Sequence, residues 1–267
     1  MMKTCIHAIA SLGRWPMRAR TFYNSASPQP SLKAYVRSSM SNNLQFLGPV
    51  HLAILAAVPL LAAILAAVQR RLSPGSRGLR FGLAVVLFVD GALYYGDFAL
   101  HGERLFPDHL PLELCDASLI LIIIALLTLN RAIFDLAYYG VMAGATMSLL
   151  TPNLEEPFPS FITVQYFVNH GLMVVAALFL VWSRQARPRP GSMMRAMLYL
   201  NVYAAFDGIF DYIFKTDYMF LGAKPQALTL LTILGPWPWY ILACEPVGFI
   251  LFLLLYLPFR QTTANAS

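Results

Sequence analysis

Charged residues are scarce in this chain, at 12% of 267 residues, against 58% hydrophobic residues and a mean hydropathy of +0.61. Too little polar surface is present to cover a soluble globule, so the composition predicts a polytopic membrane protein. Cysteine is scarce as well. Cys5, Cys115 and Cys244 form no CxxC pair and no even-numbered framework, which excludes a zinc ribbon or a disulfide scaffold. No HxxxH or HExxH is present. Residues 1–43 contain no Asp or Glu and hold Lys3, Arg14, Arg18, Arg20, Lys33 and Arg37, so the rest of the chain balances 13 basic against 13 acidic residues. The formal charge of +6 therefore belongs to a tail, and nucleic acid is not an expected partner. That Ser-rich, acid-free leader has the composition of an organelle transit peptide. A disordered basic leader or a start codon placed too far upstream are the plain alternatives. It lacks the continuous apolar core of a secretory signal.

What the chain does have is apolar length. Runs long enough for a hydrocarbon core of about 30 Å fall near 47–68, 79–99, 112–130, 133–150, 161–182, 196–214 and 237–257. The predicted fold is all-α, a bundle of seven transmembrane helices over residues 44–260, followed by a short tail at 261–267. Only Asn130 and Arg131 separate the third and fourth runs, which predicts a tight helical hairpin, and Pro152, Pro157 and Pro159 break the chain before the fifth. Gly140 and Gly144 form a GxxxG on the fourth helix, read as close packing within the bundle rather than a dimer contact. Arginines fill the first, third and fifth loops and follow the last helix, whereas Glu103, Asp108, Glu155 and Glu156 occupy the second and fourth. Positive charge accumulates on the cytoplasmic side, so the C-terminus is expected to be cytoplasmic.

In that topology most ionisable residues inside the predicted helices lie towards the non-cytoplasmic half, and the inner half is almost purely aliphatic and aromatic. They are His51, Asp90, Asp97, Glu113, Cys115, Asp116, His170, Asp207, Asp211 and Glu245, drawn from six helices. His170 sits nine residues into its helix, roughly 13 Å deep. Such groups are costly in lipid and face the bundle interior, so they predict a shared polar cavity opening to the non-cytoplasmic face. Hydrogen bonds that only set helix register would explain any one of them singly. As chemistry, the set offers a thiol and a base: Cys115 becomes a nucleophile when His170 takes its proton. Asp207 or Asp211 would orient the imidazole as in a triad, and Asp116 would hold structure or a partner. The competing readings are a metal site, for which the intramembrane histidines His51 and His170 are too few, and a non-enzymatic transporter or ion-binding protein using the carboxylates. No cofactor is indicated and no metal is expected. Membrane lipids are the expected partners.

Several segments read together resemble the YwaF-like integral membrane family. They are Phe46-Leu-Gly-Pro-Val-His51, Leu110-Pro-Leu-Glu-Leu-Cys-Asp116, Thr151-Pro-Asn153, Phe158-Pro-Ser160, Gln165-Tyr-Phe-Val-Asn-His-Gly171 and Leu234-Gly-Pro-Trp-Pro-Trp-Tyr240. The resemblance runs from about residue 44 to 259. It implies distant similarity to an animal transmembrane protein implicated as a cysteine-dependent acyltransferase of polyunsaturated ether phospholipids. By that resemblance Cys115 is the acyl-accepting nucleophile and His170 its base.

Overall fold

The structure, a computed structural model, describes residues 47–72, 76–154, 158–225 and 229–260. The basic leader, the tail after residue 260 and the loop residues Glu155 and Glu156 lie outside the described residues. Among the described residues all regular structure is helical. Seven long helices follow one another: α1 (Pro49–Arg71), α2 (Gly78–Leu100), α3 (Leu114–Thr128), α4 (Arg131–Leu150), α5 (Phe161–Trp182), α6 (Ser192–Phe214) and α7 (Trp239–Arg260).

Local chemistry sets their ends. Pro49 opens α1, where a missing N–H costs no helical hydrogen bond. Leu129 ends α3 in the left-handed region (φ 53°), and the next residue, Asn130, caps α4 by accepting from Ala132 N at 2.9 Å and Ile133 N at 3.2 Å. The hairpin linker is thus Leu129 and Asn130, with Arg131 already helical. Ser160 Oγ caps α5 through Thr163 N. Inside α4, Gly140–Ala145 widens into a π-helical segment at the GxxxG.

α1, α2, α4, α5 and α7 are long and apolar enough to cross a membrane. That is five, where the sequence predicts seven. α3 has 15 residues, about 22 Å at 1.5 Å per residue, and falls short of a hydrocarbon core of about 30 Å. α6 has the length, but Arg195, Asn201, Asp207 and Asp211 dilute its apolar character.

α5 is the central helix, packing against α1, α2, α3 and α4. Of its apolar stretch 67% is buried inside the molecule, against 11% for α7. The outer surface carries Leu60, Phe88, Leu198 and Leu242, all exposed, as a lipid-facing wall does.

The helices alternate in direction, so the bundle has two unlike ends. At one, Gln69 Nε2 donates to Ser76 O, and Arg80 Nη1 reaches Leu126 O at 2.7 Å. Here the buried Asp135 binds Arg189 Nε at 2.7 Å and Arg195 Nη2 at 3.0 Å. The half expected to be almost purely aliphatic and aromatic therefore contains an ionic knot, because the arginine-rich α5–α6 loop folds back onto the start of α4. At the other end the 101–113 loop and the 215–225 segment interlock. Tyr218 Oη donates to Pro107 O at 2.7 Å and accepts from Leu110 N at 2.8 Å, while Glu113 Oε2 accepts from Met219 N at 2.9 Å.

Candidate functional site

Beneath those interlocked loops lies a cavity of about 560 Å³ lined by residues of α2 to α7, of the 219–225 segment and of 229–231. Cys115 and His170 both line it, as do Asp116 and Glu245. Cys115 sits in the first turn of α3. That turn is held by a reciprocal capping box in which Glu113 accepts from the backbone of Asp116 and Asp116 Oδ2 accepts from Glu113 N at 3.2 Å. Asp116 also receives the Tyr95 hydroxyl from α2. Its carboxylate is thus occupied in fixing the turn that presents the thiol.

His170 is 7% exposed and its Nδ1 lies 2.8 Å from the carbonyl of Tyr166. A carbonyl only accepts, so Nδ1 carries the proton and the lone pair is left on Nε2. The Tyr166 ring lies tilted by 36° against the imidazole, with centroids 4.3 Å apart, and its hydroxyl donates to Ser148 O at 3.0 Å. Cys115, Tyr166 and His170 all line the same cavity.

On the same helix, Gln165 and Asn169 also line the cavity, and both donate to Asp90 Oδ2, at 3.1 and 2.6 Å. Asp90 stands behind the wall rather than in it. Sequence reasoning passed over Gln165, Asn169, Tyr95 and Tyr166 as site residues. The available signal was the polar i, i+4 repeat of Gln165 with Asn169 and of Tyr166 with His170 on an otherwise apolar helix.

Other expected members lie elsewhere. His51 is fully buried but its ring is saturated: Leu47 N donates to Nδ1 at 3.1 Å and Nε2 donates to Leu149 O at 2.7 Å. It staples α1 to the end of α4, and no α1 residue lines the cavity. α4, expected to supply only a packing face, takes that place with Tyr139, Met147 and Ser148. Asp97 lies at the rim of α2 beside His101, 3.6 Å away. Asp207 and Asp211 do not reach the imidazole in a triad, because His170 Nδ1 is taken by Tyr166 and the two carboxylates are absent from the cavity wall. Among the described residues no three His, Cys, Asp or Glu side chains are grouped to hold a metal.

A family model described as the TMEM164 family matches residues 46–256. The chain belongs to the TMEM164 family. Every motif that carried the YwaF-like resemblance falls inside that match, but the membership shown is TMEM164-type. An uncharacterised protein of Treponema pallidum (strain Nichols) is 26% identical over 218 residues, covering 80% of this chain and 90% of its own length. No solved structure matches the chain. This TMEM164-family protein is thus a multi-pass membrane protein whose cavity joins a cysteine and a histidine.

Proposed function

We propose that this TMEM164-family protein moves lipid acyl chains through a Cys115 thioester, with His170 as base. The single observation carrying this reading is that Cys115 and a His170 whose tautomer leaves Nε2 basic line the same cavity. Its volume of about 560 Å³ lies in the range of ligand pockets, ~300–1,000 Å³. The YwaF-like motifs and the acyltransferase similarity they imply support the same assignment. Residues 196–214 and the shorter α3 complete seven crossings in this reading, with the arginine-rich end cytoplasmic.

The chemistry balances within the site. His170 Nε2 takes the thiol proton, Sγ attacks the ester carbonyl, and the lipid C–O bond breaks as the leaving oxygen receives the proton back. The thioester is then opened by a second hydroxyl, from lysolipid for transfer or from water for hydrolysis, and the thiol is regenerated. The test is hydroxylamine-labile labelling of the purified chain in nanodiscs containing a phospholipid with a radiolabelled acyl chain. Label is expected on Cys115 and absent in Cys115→Ala; label persisting in that variant overturns the proposal.

A further inference from the structure

Asp207 and Asp211, the two acidic residues of α6, do not line the cavity. Asp207 is 0% exposed and neither of its carboxylate oxygens has a hydrogen-bond partner among the described residues. Asp211, one turn on and within electrostatic reach, is 1% exposed. Its Oδ1 is fully used, accepting from Thr216 Oγ1 at 2.7 Å and from Tyr218 N at 3.0 Å, while its Oδ2 has no partner. Three orphaned carboxylate oxygens are thus buried together where α6 meets the 215–221 segment. The next basic residue along the chain is committed elsewhere: Lys215 Nζ donates to Tyr212 O at 2.7 Å.

We propose that Asp207 and Asp211 bind a hard divalent cation of the calcium type, which fastens α6 to the 215–221 segment. Buried carboxylates are retained when they are paired or coordinate a metal, and two of them match a double positive charge. The donor set is all oxygen. Calcium accepts flexible, irregular shells completed by backbone carbonyls, hydroxyls and water, whereas transition metals favour the imidazole and thiolate ligands that are missing here. The consequence reaches the cavity, since Met219, Phe220 and Leu221 line it and Met219 N is bonded to Glu113 beside Cys115. A cation there steadies the roof of the other site without touching its chemistry.

The probe is terbium, a luminescent calcium mimic excited through nearby tyrosines; Tyr203 lies one turn before Asp207 on α6. For the full chain in nanodiscs, freed of metal by chelator, we expect a saturable terbium signal that Ca²⁺ displaces and Na⁺ does not. Asp207→Asn and Asp211→Asn are each expected to weaken it at least 10-fold. Saturating Ca²⁺ is also expected to raise the wild-type Tm by about 4 °C or more. No saturable signal in the wild type, a signal surviving in the Asp207→Asn, Asp211→Asn double variant, or a Tm raised by Na⁺ but not Ca²⁺ overturns the proposal. The Tm comparison needs only the wild type, so a variant that does not fold leaves the proposal open to refutation.

Discussion

The Asp90 carboxylate accepts the Asn169 amide at 2.6 Å, and Asn169 is the residue immediately before His170. One acid on α2 therefore fixes the cavity-facing polar edge of α5, since Gln165 donates to the same oxygen.

Replacing Asp90 with Leu removes the acceptor of both amides and leaves two donors unmatched, which costs about 1–3 kcal/mol for each one left buried. We expect Asp90→Leu to lower Tm clearly. Asp90→Asn keeps one acceptor and is expected to recover part of the loss. Thermal unfolding of both variants in the same detergent checks this, and equal loss in the two would exclude the shared-acceptor account.

His170→Gln removes the base but keeps an N–H that can serve the Tyr166 carbonyl. Thioester formation is expected to slow by about 10²–10⁴-fold, while stability changes by no more than about 1 kcal/mol. Single-turnover labelling rates beside thermal unfolding separate the two effects. Unchanged labelling would remove His170 from the chemistry.

Asp135 binds two arginines at the other end of the bundle, and its own side chain is 1% exposed while theirs are 37% and 48%. Breaking a fully buried pair costs about 3–5 kcal/mol. Because these arginines remain partly solvated, Asp135→Ala is expected to cost about 2 kcal/mol. Chemical denaturation is the measurement, and acyl labelling of Cys115 should stay near wild type if the protein is folded.

A β-carbon on Gly140 would collide with the Ser118 hydroxyl, whereas one on Gly144 would sit 3.7 Å from Leu114 Cδ2, an ordinary contact. Overpacking at such a site costs about 1–3 kcal/mol. Gly140→Ala is therefore expected to be destabilised by that amount, and Gly144→Ala by far less. Equal effects would show that the π segment relaxes to admit the added methyl.

Much of this was legible from residue types alone. The apolar runs placed the helices within a few residues, the Asn130 linker marked the hairpin, and Gly140 marked a close approach between α4 and a neighbour. Cys115 and His170 stood out because a thiol and an imidazole are rare within apolar stretches. The count of crossings was less legible: α3 reads as apolar to Asn130, yet Leu129 turns left-handed and stops the helix at 15 residues.

By itself, then, the sequence determined an all-helical membrane chain with polar groups at particular depths. Depth follows from counting residues along one helix at about 1.5 Å each. Which polar groups share a site was decided only by tertiary structure. A side chain's direction advances about 100° per residue, and what it meets depends on which helix covers that face. Thus His51 spends one nitrogen on Leu47 N and the other joining α1 to Leu149 of α4, Asp90 is held by Gln165 and Asn169 of α5, and Asp211 accepts from the 215–221 segment. Cys115 and His170 line one cavity because α3 packs against the central helix α5.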